Sequence, residues 1–89
     1  MWFTKKKEHT PGIPCLVCGF LTIEHRGAFE ICPICFWEDE GDIDDPNEPS
    51  GGPNGDLSLN QAKRNYESFG AVEKRFIKNV RRPFSSEMP

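Results

Sequence analysis

No stretch of this sequence approaches the ~20 consecutive apolar residues that a membrane-spanning helix requires. The opening Met1-Trp2-Phe3-Thr4-Lys5-Lys6-Lys7 has no apolar core of the kind a secretory signal carries. We therefore expect no membrane association and a cytoplasmic location. Histidine is scarce: His9 and His25 are the only two, and both read as surface turn residues. No nucleophile–base constellation can be assembled around them, so we expect no enzymatic activity. Pro14-Cys15-x-x-Cys18 has the form of half a zinc-deaminase signature, but the H-x-E that such enzymes need upstream is missing. Only 36% of the 89 residues are apolar. One domain of this size rarely buries enough apolar surface to be stable without a further staple.

Cysteine is what the chain does have, and all of it lies in one stretch. Cys15-x-x-Cys18 and Cys32-x-x-Cys35 are separated by thirteen residues. Two residues between cysteines allow a tight turn that aims both sulfurs at one ion, and two such pairs supply the four ligands of a tetrahedral thiolate site. Gly19 after Cys18 permits a positive φ on leaving the turn. Pro33 after Cys32 fixes φ near the turn value. Phe36 stands where a second glycine would be expected, so the two turns are not expected to be copies. Zinc is the expected ion, one per chain, and iron is the rival because the same four thiolates hold either. Two disulfides would need an oxidising compartment. A thioredoxin-type pair would need one C-x-x-C at a helix start within a βαβ unit, and no such unit is visible. A structural zinc contributes roughly 10–16 kcal/mol of apparent binding energy in small peptides. That matches or exceeds a typical domain's total stability of ~5–15 kcal/mol, so the metal is the expected staple.

Between the pairs, Phe20 to Glu24 alternates in polarity, His25-Arg26-Gly27 has turn character, and Ala28 to Cys32 reads as a return strand. A hairpin over residues 20–32 is the expectation. The fold class follows: a small α+β metal-stabilised domain, a zinc-ribbon or rubredoxin-like hairpin with two knuckles, then an acidic loop and one or two C-terminal helices. Residues 1–12 read as a flexible arm and 13–82 as one domain, with the ribbon at 13–37, the acidic loop at 38–56 and the helical part at 57–82. Residues 83–89 read as a tail.

The loop at 38–56 holds eight acids and no base. Its prolines and glycines exclude a helix through the middle. They also break the alternating acid register of an EF-hand. Gly51-Gly52-Pro53-Asn54-Gly55-Asp56 resembles a single calcium-binding β-helix repeat, but one copy cannot stack. We expect an ordered, turn-rich loop in which Asn54-Gly55 supplies positive φ. Ser58 and Gln61 then form the S-x-x-Q of a capping box. Leu59, Ala62, Tyr66 and Phe69 share one face of a helix that Gly70 should end. Val72, Phe76 and Val80 suggest a second, shorter helix stopped by Pro83. Seven bases against two acids lie between Lys63 and Arg82. They are expected to pair within the molecule or face water. Alternatively Lys74, Lys78, Arg81 and Arg82 would meet phosphates, although a net charge of −3 disfavours general nucleic-acid affinity.

Several blocks together resemble the cysteine-rich CPCC family of small bacterial proteins. They are Cys15-x-x-Cys18-Gly19-Phe20-Leu21-Thr22, Glu30-Ile31-Cys32-Pro33-Ile34-Cys35-Phe36-Trp37-Glu38-Asp39, Gly52-Pro53-Asn54, Ser58-Leu59, Ala62, Asn65-Tyr66 and Phe69-Gly70-Ala71. The likeness covers roughly residues 13–82 and implies zinc binding, with no activity attached. Leu16 and Val17 depart from the motif, which has proline and a further cysteine there, while the spacing of Cys15 and Cys18 is kept. The overall expectation is a monomeric zinc protein acting through an unidentified protein partner, with nucleic-acid binding or rubredoxin-like electron transfer as alternatives.

Overall fold

The computed structural model describes residues 12–89; the arm expected at 1–12 lies, but for Gly12, outside the described residues. The architecture is α+β. Strand β1 (Ile13–Pro14) pairs antiparallel with β2 (Leu21–Ile23), and helix α1 (Leu59–Phe69) follows the long loop. Two 3-10 helices, Lys74–Asn79 and Ser85–Glu87, complete the chain.

The hairpin differs from the expected one. Residues 20–24 do not pair with 28–32. Each cysteine pair instead sits at the tip of its own short antiparallel pairing: β1 with β2 around the first, and a bridge from Ile31 to Glu38 around the second. The C-x-x-C turn itself reverses the chain, so the segments that meet are those flanking each pair. The Arg26-Gly27 turn does form, with Gly27 at φ 83°. Side chains rather than a ladder close it. Glu30 accepts from the amides of Glu24 and His25, both at 2.8 Å. Phe29 is left-handed (φ 62°), which breaks the return strand.

Ile23, Ile34, Trp37, Leu59, Ala62 and Val72 are buried with Cys15, Cys32 and Cys35 in one core. Trp37 is fully buried, and its Nε1 finds no acceptor among the described residues. An orphaned donor costs about 1–3 kcal/mol. Removing a ring of ~200 Å² from water returns about 5 kcal/mol, so burial wins.

Helix α1 begins as its sequence predicts. Ser58 Oγ accepts from Gln61 N at 3.1 Å, and Gly70 at φ 88° ends it with a bond to Tyr66 O at 2.8 Å. Only half of the capping box is made, because the Gln61 side chain bonds Asn65 and Arg64. The second helical segment is 3-10, with no side-chain cap at its start. Val72 is drawn away as an anchor, its amide bonded to Cys35 O at 2.8 Å. Phe76 stacks on Phe36 with ring centroids 4.4 Å apart, while Ile77 is exposed. Residues 83–89, expected as a tail, are tied back. Glu87 takes two bonds from Arg81 at 2.9 Å, and Ser85–Glu87 lies against β2.

The acidic loop is ordered by its own side chains. Asn54 donates to Glu38 O at 2.8 Å and accepts from Glu38 N at 3.2 Å, pinning the loop to the second knuckle. Gly51 and Gly55 take positive φ. Asp39 is fully buried and differs from its neighbours. It accepts from Gly27 N at 2.7 Å, from Gly41 N at 3.0 Å and from the Arg26 guanidinium. Among the described residues no ion pair joins the bases of 63–82 to the acids of 38–56; Arg75 pairs with Glu73 and Arg81 with Glu87.

Candidate metal centre

Each half of the centre is one six-residue turn. In the first, Gly19 N donates to Cys15 O and Cys15 N to Phe20 O, both at 2.9 Å. In the second, Phe36 N donates to Cys32 O and Cys32 N to Trp37 O, again at 2.9 Å. The residue after the second cysteine is left-handed in both, Gly19 at φ 81° and Phe36 at φ 74°. The turns are thus copies in backbone despite the phenylalanine, against the expectation from sequence. Two amides folded into each turn hold the two sulfurs on one side, and the two turns face each other.

The result is a cluster of four thiols whose sulfurs all lie within 4.8 Å of one another. Cys15 Sγ is 3.5 Å from Cys35 Sγ, and Cys18 Sγ is 3.7 Å from Cys32 Sγ. A tetrahedron with bonds of ~2.3 Å has edges of about 3.8 Å, so the sulfur spacing fits one metal ion. All four cysteines are free, and all but Cys18 are buried. Thr22 Oγ1 lies 3.1 Å from Cys32 Sγ, and Ile34 N donates to the same sulfur at 3.4 Å. Four thiols this close share protons. Hydrogen bonds from Cys15, then Cys18 and Cys35, hold Cys32 well below the usual thiol range, with Thr22 adding to the effect. Cys18 and Cys35, bonded first to Cys15, are pushed above that range. A cation replaces those shared protons, so the donor set suits a thiophilic metal.

A family model described as Cysteine-rich CPCC matches residues 13–87. The chain belongs to the cysteine-rich CPCC family. Comparison with curated proteins gives no match. The family match extends past residue 82, where the sequence resemblance stopped, and takes in the Arg81–Glu87 pair that ties the C-terminal segment down. Against the CPCC motif, Leu16 and Val17 occupy the inner positions of the first knuckle, where both are partly buried and pack against the core. Their apolar side chains fill space beside the cluster and leave the four sulfurs in place.

The basic residues considered for phosphate contact are not gathered into one site. Lys74 and Lys78 are exposed on the first 3-10 helix, with Lys74 Nζ 5.8 Å from the Phe69 ring centroid. Arg82 is exposed beyond it. Arg81 is engaged twice, by the Glu87 carboxylate and by the Phe84 ring 3.8 Å away. Sequence reasoning passed over Arg26 and Asp39, whose pair holds the segment between the two knuckles. The only available signal was an acid directly following the Cys-Phe-Trp-Glu run, and it was indistinguishable from the seven other acids of the loop.

Proposed function

We propose that this chain is a cytoplasmic zinc-binding protein in which Cys15, Cys18, Cys32 and Cys35 hold one structural Zn2+. The two turns would then be the knuckles of a zinc-ribbon or rubredoxin-like site, and the protein would act through contacts with another protein. The observation that carries this reading is the gathering of four thiols within 4.8 Å by two turns of the same hydrogen-bond pattern. Four cysteine ligands fill the coordination sphere of zinc and leave no position for substrate or water. That supports a binding role over hydrolytic catalysis. No helix of the described residues is long and apolar enough to cross a membrane.

Metal content per chain, measured with an absorption spectrum on untagged protein, tests the reading. One zinc per monomer, with fold lost on chelation, is the expected result. One iron with thiolate-to-iron charge-transfer bands would replace the structural reading with electron transfer. Absence of metal, with cysteines oxidised in freshly reduced lysate, would refute both. The nucleic-acid alternative rests on Lys74, Lys78 and Arg82, since Arg81 is already engaged by Glu87; no gel shift at low salt would end it.

A further inference from the structure

Beside the second knuckle lies a cleft of about 290 Å³ whose lining combines apolar surface with carboxylates. Phe36 and Phe76 line it as a pair of rings in contact, tilted by 35°, and Ile31, 47% exposed, stands at its wall. Glu38, Asp56 and Glu73 contribute three acids. Glu73 is paired with Arg75 at 2.6 Å, and Arg75 also lies 4.5 Å from the centroid of the Phe76 ring. The chain's own arginine thus shows how this cleft takes a cation, with the charge on a carboxylate and the planar head on an aromatic face. Glu38 and Asp56 make no ion pair among the described residues, so two carboxylates of the same cleft remain without a cation. The position of Phe36 strengthens the case. It holds the left-handed conformation that Gly19 takes in the first knuckle, where glycine would sit without strain. An aromatic ring stands there instead, and it forms half of the ring pair that lines the cleft.

We propose that this cleft receives a lysine or arginine side chain from an apolar segment of a partner protein. The cationic head lies between Glu38 and Asp56, and the aliphatic stem lies on Ile31 and the Phe36–Phe76 pair. The proposal rests on the reading that the protein acts through protein contacts, and it names the surface and the chemistry of the partner. Charge complementarity selects the occupant: an acidic segment is repelled, and a wholly apolar one leaves the two carboxylates desolvated and unpaired.

A displayed library of random twelve-residue peptides, panned on the metal-loaded chain, tests it. Enriched peptides carrying Lys or Arg flanked by apolar residues are expected, with amide shifts on binding at Ile31, Phe36 and Asp56. The double substitution Glu38→Gln, Asp56→Asn should weaken them roughly 3- to 30-fold, with metal content and the remaining amide spectrum unchanged. Raising salt should weaken them as well. Enriched peptides that ignore the double substitution, or that shift resonances elsewhere, would overturn the cleft proposal while leaving a protein-contact role standing. No enriched peptide at all would overturn both. If deleting residues 1–11 by itself moves the same three resonances, the chain's own Trp2-Phe3 and Lys5-Lys6-Lys7 segment occupies the cleft, and the partner proposal falls.

Discussion

Replacing Asp39 with asparagine should remove about 3 kcal/mol of stability without moving a cysteine. The side chain is fully buried, and its two oxygens have three donors: the amides of Gly27 and Gly41 on one, the Arg26 guanidinium on the other. Asn keeps the shape but has only one acceptor oxygen. If that oxygen stays on the two amides, the new NH2 faces Arg26, donor against donor. If it turns to Arg26, the NH2 faces the amides. Either way a charge-assisted bond of roughly 1.5–3 kcal/mol is lost, and a partly buried cation is left with neutral acceptors such as Pro14 O and no counter-charge. Removing one partner of a fully buried pair costs about 3–5 kcal/mol. Arg26 is 25% exposed, so water offsets part of this and the lower end applies. Urea unfolding of metal-loaded protein should show a midpoint lowered by about 1–3 M with an unchanged slope. In an Arg26→Met background the same Asp39→Asn change should cost about 1 kcal/mol, since the donor clash is gone. A loss under ~0.5 kcal/mol in the wild-type chain would refute the argument that this pair holds the inter-knuckle segment. So would a loss of equal size in both backgrounds.

Other perturbations probe separate parts of the fold. Gly12→Ala would place a Cβ 2.5 Å from the backbone oxygen of Ile23, and should cost about 1–3 kcal/mol by the same urea assay. Ser58→Ala removes the acceptor for Gln61 N and should cost about 1 kcal/mol, visible as fraying in amide exchange of the first turn of α1. Arg81 holds the Glu87 carboxyl below the usual carboxylate range. The pair therefore contributes above the ordinary carboxylate pKa, and its contribution is lost as pH falls through the lowered value. Wild type should exceed Glu87→Gln in stability by up to about 1 kcal/mol at pH 7, with the difference vanishing in acid; a pH-independent difference would count against it. Metal loading displaces thiol protons, so apparent zinc affinity should fall by more than roughly tenfold per pH unit on acidification, as read by competition with a chelator.

The four thiols were legible because spacing alone dictates a turn, and a turn alone dictates where two sulfurs point. The Ser58 and Gly70 ends of α1 were legible for the same reason: caps are local chemistry. The hairpin was misassigned because alternation in Phe20–Glu24 and Ala28–Cys32 says that strands are present, and says nothing of which segments they meet. Phe29 and Phe36 took left-handed φ values that their residue type argues against. Asp39 looked like one more solvated acid, since its burial depends on Arg26 arriving from thirteen residues away. The 83–89 segment is short and carries no periodic pattern, and what holds it, the Arg81–Glu87 pairing across six residues and the packing on β2, lies in contacts with other parts of the chain.

The two knuckles carry the same turn but are wired into the molecule differently. The second is laced to distant parts of the chain, since Cys35 O takes Val72 N and Pro33 O takes Arg81 N. The backbone-to-backbone bonds of residues 12–23, among those described, all stay inside that segment, and Pro14 O takes only the side chain of nearby Arg26. Its ties to the rest are two sulfurs, an apolar rim, the Arg26 side chain on Pro14 O and the packing of Ser85–Glu87 on β2. A module so loosely subscribed tolerates redrafting. The Leu16-Val17 departure from the CPCC motif falls inside it, and the same liberty taken between Cys32 and Cys35 would disturb the stretch whose Pro33 and Cys35 carbonyls anchor the C-terminal part of the chain.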